Sequence, residues 1–225
     1  MPPEDPSNHI LSSFDAELDQ LRIDLIQMGN LVLRAVDGSV SGLVGQDIER
    51  CSDVIDDDEV IDKKQKEIDG RGMSILLRYS PVASDFRAAV SAISVCRSLE
   101  RIGDYAVNIA KGARKILKHG ECPEVGLVTP LFNATRSQLV KALQAYTDSD
   151  SAQALEIIEG DKQVDKLHKK LSKGLTAMVG TGGGDVQAIL HLLFISRFLE
   201  RIGDLAANVA EDVVFVRSAE DIRHS

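Results

Sequence analysis

Four pairs of carboxylates, each spaced one helical turn apart, recur in this 225-residue chain. Asp58 and Asp62 stand at i and i+4 in DDDEVID, and Asp161 and Asp165 in GDKQVDKLH. Glu100 and Asp104 lie in RSLERIGDYAVNIA (97–110), Glu200 and Asp204 in RFLERIGDLAANVA (197–210). These last two stretches agree at ten of fourteen positions with an offset of 100 residues, and the aspartate pairs repeat with an offset of 103. Acidic side chains at i and i+4 of a helix share one face, about 5–6 Å apart at Cβ, and repel each other. Oxygen-only donors suit hard cations such as iron, manganese, magnesium or calcium, and zinc also accepts carboxylates. Two facing pairs could share and bridge metal ions, which would relieve the repulsion. Asn108 and Asn208 extend each ridge by a turn, where an amide could orient a ligand, and Arg97 and Arg197 precede the ridges. Such a ridge could equally be a solvated face braced by Arg–Glu and Arg–Asp pairs worth about 0.2–0.5 kcal/mol each.

The elements that must carry these pairs are helices. Phe14, Leu18, Leu21, Leu25, Met28, Val32 and Ala35 form an apolar seam of heptad type. Gly42 and Gly45 interrupt it, and Asp47 can cap a second helix running to about Tyr79. Ser80-Pro81 and Thr129-Pro130 each read as an N-cap followed by proline at the first helical position, opening a third and a fourth helix. TDSDS (147–151) and GTGGGD (180–185) are polar and glycine turns ahead of a fifth and a sixth helix. Behind the acidic ridges, Leu99, Ile102, Ala106, Ile109 and Ala113, and again Leu199, Ile202, Ala206, Val209 and Val213, make the stripes each bundle must bury. The expected fold is all-α: six helices in two similar antiparallel three-helix bundles packed side by side. Residues 10–119 form the first repeat and 126–218 the second, joined by HGECPEVGLV (119–128), with 1–9 and 219–225 as flexible termini.

Composition excludes several classes. A net charge of −9 opposes sequence-independent binding to nucleic acid. The first nine residues lack a signal-peptide pattern, and the apolar run AILHLLFI (188–195) is too short to span a bilayer. Three cysteines without CxxC spacing fit reduced, cytoplasmic thiols. A ferritin-type di-iron enzyme needs two ExxH elements; the chain has none, and Asp165 with His168 is the nearest approach. His168 and His191 read as structural or surface residues. GTGGG follows a helix and precedes no GK[ST], so it is a turn and not a phosphate loop. No nucleophile–base arrangement is visible, which points away from an enzyme.

The duplicated LERIGDxAxN, paired with DxxxD on the preceding helix, resembles the PhoU family of phosphate-signalling regulators, whose hallmark is an E(D)xxxD motif. FDAELDQLRIDLIQMGNLVLRAV resembles that family's first helix and YSPVASDFRAAVSAI the approach to its third, so the likeness covers almost the whole chain. It implies multinuclear iron or zinc clusters on the surface, held by Glu100, Asp104, Glu200 and Asp204, with Asp58, Asp62, Asp161 and Asp165 as companions. It further implies a non-enzymatic negative regulator of the phosphate-specific ABC transporter and of a sensor histidine kinase. Such a protein is cytoplasmic, peripheral at the inner face of the membrane, and often a homodimer. A helical adaptor whose acidic faces dock a basic partner without metal is the alternative, and a carboxylate-metal hydrolase or oxidase a weaker one. SDFRAA before the first motif becomes GDVQAI before the second, keeping Asp85 against Asp185 but replacing Arg87 by Gln187; Asp85 is therefore a candidate for shaping the first site.

Overall fold

The heptad seam read in the sequence is the spine of the first helix. Leu21, Leu25, Met28 and Val32 are at most 1% exposed along α1 (Pro6–Val44). The computed structural model describes residues 6–120, 122–181 and 184–218, excepting the side chains of 6–12, 119, 161 and 218. Asp47 caps α2 (Ile48–Asp56), its side chain accepting from the Arg50 N–H at 2.9 Å. α2 and α3 (Asp58–Tyr79) form the second helix, interrupted only at Asp57. The third helix is α4 (Ala83–His119). A 3₁₀ segment (Pro123–Val128) buries Val125 and Val128 and leads into α5 (Thr129–Asp148). α6 (Ser151–Gly180) and α7 (Val186–Ser218) complete the chain. The fold is thus six helices, with no strand among the described residues.

Two of the proline signals act differently from their sequence reading. Ser80 closes α3 in a left-handed conformation (φ 45°), donating its N–H to Leu76 O, and does not open α4, which begins at Ala83 behind an extended Val82. Thr129 is already helical, because the preceding 3₁₀ turn delivers the chain in register, with Pro130 in the first turn, where its missing N–H costs nothing.

The halves repeat each other. α1, α2–α3 and α4 pack together as one bundle, α5, α6 and α7 as the other. Gln46 and Ser149, 103 residues apart, both adopt positive φ (57° and 54°) at the ends of α1 and α5. Asp47 and Asp150 follow as equivalent N-caps, and Asp150 accepts from the N–H groups of Ala152 and Gln153. The stripes behind both acidic ridges are buried throughout.

α4 and α7 join the bundles, lying antiparallel. Arg87 Nε donates to Val216 O and Ser91 Oγ to Asp212 O, both at 3.3 Å. Further along, Tyr105 stacks on Phe198 with centroids 5.7 Å apart, and Gly112 lies against Ile195. Arg136 of α5 adds a two-pronged pair to Asp37 of α1, at 2.7 and 2.9 Å.

Candidate metal centre

Each acidic site is built around a glycine. A β-carbon on Gly203 would stand 3.0 Å from Val164 Cγ1, and one on Gly103 3.3 Å from Ile61 Cδ1. These are the places where α7 touches α6 and α4 touches α3. Glu200 and Asp204 flank Gly203 at −3 and +1, and Asp161 and Asp165 flank Val164 in the same way. In the first half Glu100 and Asp104 flank Gly103, and Asp58 and Asp62 flank Ile61. The helix-to-helix contact is therefore the centre of each quartet, and the missing glycine side chain sets how closely the carboxylates can converge.

In the second half three of them converge. One oxygen from each of Asp165, Glu200 and Asp204 lies within 4.8 Å of the others, and all three residues are half-buried. The side chain of Asp161 lies outside the described residues. Glu200 Oε2 is buried and has no hydrogen-bond partner among the described residues. Its nearest cation is Arg201, whose Nε is 3.7 Å away while its Nη1 donates to Asp204 Oδ2 at 3.1 Å. Lys169 Nζ stands 3.4 Å from Asp165 Oδ2. A buried carboxylate oxygen without a donor is costly, and its convergence with two further carboxylates fits a hard or borderline divalent cation supplied with oxygen ligands.

The first half is a looser version. Burial raises the Asp58 carboxyl above its ordinary pKa, and the charges of Asp62 and Asp104 add to it while Lys111 opposes. Glu100 is raised by burial first, then by Asp104 and Asp62. Carboxylates of α3 and α4 thus feel one another across the helix contact, although they do not close to the spacing of the second site.

The remaining candidates fall outside these quartets. Asn108 and Asn208 are exposed, as are Arg97 and Arg197. Among the described residues, the expected arginine–carboxylate bracing of the ridges forms at Arg201. Asp85 is exposed near the start of α4, fifteen residues or about 22 Å along the helix from Glu100. His168 shares a 2.8 Å hydrogen bond with Ser196, in keeping with a structural role. The sequence reading passed over the glycines, Ile61 and Val164; the signal was a glycine at one phase of both motifs, inside helices that otherwise favour better formers.

Comparison with known proteins agrees with this architecture. The family model described as the PhoU domain matches twice, over residues 25–113 and 128–213. A phosphate-specific transport system accessory protein PhoU homologue of Pseudomonas putida is 33% identical over 222 residues, 98% of this chain and 87% of the relative. The counterpart from Serratia marcescens is 30% identical over 97% of this chain and 90% of its own length. The crystal structure of PhoU from Pseudomonas aeruginosa superposes with a TM-score of 0.88 at 32% identity, covering 92% of this chain and all of that one. The phosphate transport system regulatory protein PhoU from Streptococcus pneumoniae gives 0.86 at 28% identity, over 93% and 99%. The chain belongs to the PhoU family, a family of accessory and regulatory proteins and not of enzymes.

Proposed function

We propose that the protein is a metal-binding negative regulator of phosphate uptake and of phosphate-responsive two-component signalling. The observation that carries the metal is the convergence of Asp165, Glu200 and Asp204 around the orphaned Glu200 Oε2. Iron or zinc, in clusters of more than one ion, would satisfy that oxygen and offset the mutual repulsion of the quartet. Asp161 would complete the second site, and Asp58, Asp62, Glu100 and Asp104 would hold the first. The chain's own residues contribute position and charge: the glycine contacts fix helix spacing, and Arg201 and Lys169 occupy the carboxylates until a cation displaces them.

The relatives are accessory proteins of phosphate transport, and on that ground the partner is the cytoplasmic ATPase of the phosphate transporter, together with the sensor histidine kinase. No helix among the described residues is long and apolar enough to cross a membrane, so attachment at the inner membrane face would run through these partners. The test is metal content per chain on untagged protein, compared with Glu100→Ala/Asp104→Ala/Glu200→Ala/Asp204→Ala. Several ions per chain, lost in the variant, support the reading; equal metal content in both would defeat it.

A second reading keeps one specific observation. Arg201 and Lys169 already lie against the acidic triad at 3.1 and 3.4 Å, so a partner's basic side chains could take the same places without metal. That reading expects partner binding to survive a chelator and to weaken with salt.

A further inference from the structure

The surface between the two acidic sites has the opposite character from the rest of this −9 chain. One exposed row of α4 presents Arg97, Arg101, Asp104, Asn108, Lys111 and Lys115, four cations to one carboxylate; the neighbouring row of α7 presents Phe194, Arg197 and Arg201. The antiparallel contacts between these helices put both rows along one seam. Arg97, Lys115 and Arg197 form no ion pair with a described residue. At one end of the seam a recess of about 260 Å³ opens, lined among others by Lys111, Lys115, His191, Phe194 and Phe198. Phe194 is 59% exposed there, and Leu190 and Val186 continue its row at 41% and 46%.

The internal repeat shows that the scaffold does not require this chemistry. At the equivalent positions 100 residues away, Lys111 is Glu211, His191 is Ser91, Phe194 is Ser94 and Phe198 is Ser98. Lys115 is Phe215, and Arg97 and Arg101 recur as Arg197 and Arg201, so the arginines run along the whole seam while Lys111, Lys115 and the exposed Phe194 mark one end of a pseudo-symmetric molecule. An exposed aromatic side chain at a recess is the kind of anchor that interfaces favour, and the lysines beside it supply charge that selects an acidic partner. Acidic quartets on both flanks would repel a continuous phosphate backbone, whereas spaced carboxylates on a helix can meet the cations and avoid the flanks.

We propose that the α4–α7 seam is a docking groove for an acidic amphipathic segment of a protein partner, with Phe194 as its apolar anchor. This deepens the regulatory reading above and rests on it only for the partner's identity.

The experiment uses the full chain and three variants: Phe194→Ser, Lys111→Glu/Lys115→Glu, and the charge-matched control Lys63→Glu/Lys66→Glu on α3. Two probes are titrated by fluorescence anisotropy. One is a helical peptide of roughly 20 residues with leucines at i,i+3 spacing and glutamates on the other face, matched by its lysine counterpart. The other is the purified ATPase subunit of the phosphate transporter. The expected result is binding of the glutamate peptide and not the lysine peptide, weakened about ten-fold or more by both seam variants and unchanged by the control. The ATPase should show the same losses. Equal binding of both peptides, seam variants that bind as the parent does, or duplex DNA displacing the peptide at equal charge would each overturn the groove. A glutamate peptide that behaves as expected beside an ATPase that fails to bind would support the groove and remove that partner.

Discussion

Gly203 and Val164 stand so close that a β-carbon on the glycine would fall 3.0 Å from Val164 Cγ1. That contact holds α6 and α7 at the spacing where Asp165 meets Glu200 and Asp204.

Gly203→Val should therefore disturb the site while leaving all of its carboxylates in place. We expect a loss of about 1–3 kcal/mol from overpacking and reduced metal content. Gly174, on α6, has open space where a β-carbon would go, so Gly174→Ala should stabilise by about 0.5–1 kcal/mol. Chemical denaturation and metal analysis check both; unchanged metal in Gly203→Val would refute the role of the contact.

Neutralising Glu200 should trade stability against binding. Glu200→Gln removes a buried carboxylate oxygen that lacks a hydrogen bond and one member of a repelling i,i+4 pair. The metal-free protein should gain about 1 kcal/mol, or roughly 2–4 °C in Tm for a chain of this size. Metal-loaded protein should move the other way. A Tm that falls in the metal-free variant would contradict the repulsion argument.

Asp24 gives a pH signature away from the acidic sites. It is 6% exposed on α1, with Lys64 Nζ 2.9 Å away and Arg71 Nε 3.2 Å away as an ion pair out of hydrogen-bond alignment. Burial alone would raise its pKa; hydrogen bonds from Lys64 and Gln20 and the charges of Lys64 and Arg71 outweigh it, leaving the folded value below the ordinary 3.8. A depressed carboxylate stabilises fully above its unfolded pKa and loses that contribution as pH falls through the folded value. Asp24→Asn should thus cost about 2–3 kcal/mol at pH 7, and the gap to the parent should shrink in urea titrations carried to about pH 3. A gap independent of pH would exclude the ion pair as its source.

The thiols should be silent in the native state. Burial pushes Cys96 up to about 12, helped by Asp69 and Glu100, and Cys122 up to about 11, helped by its hydrogen bond to Glu124. Cys51 is raised as well, by burial first and then Asp47. Since the thiolate is the reactive form, a thiol reagent at pH 8 should label none of the three before unfolding and all three after. Fast native labelling of any one would show that the segment carrying it opens locally.

Periodicity made the helices and their buried faces legible, because a stripe such as Leu99, Ile102, Ala106 and Ile109 has only one side that can face a core. It could not say which neighbour covers that side. The contacts of Gly103 with Ile61 and Gly203 with Val164, and with them the reason the carboxylate pairs meet, required the assembled bundle. The same limit hid the tighter convergence of Asp165, Glu200 and Asp204 in the second half. Boundary signals were ambiguous where one residue can serve two ends: Ser80 could begin α4 or finish α3, and its left-handed backbone decided for the latter. The basic seam was scattered in the sequence between two acidic ridges and becomes one surface only when α4 and α7 lie antiparallel.

That antiparallel pairing has the form of a two-fold interface enclosed within one polypeptide. A dimer of a single three-helix unit would be obliged to carry two identical copies of every position, whereas a fused pair can let them diverge. Here Cys96 corresponds to Ser196 in the repeat, Gln65 to His168, and Lys111 to Glu211. Fusion converts a symmetric object into one with a head and a tail, with two unequal acidic sites and two distinguishable ends.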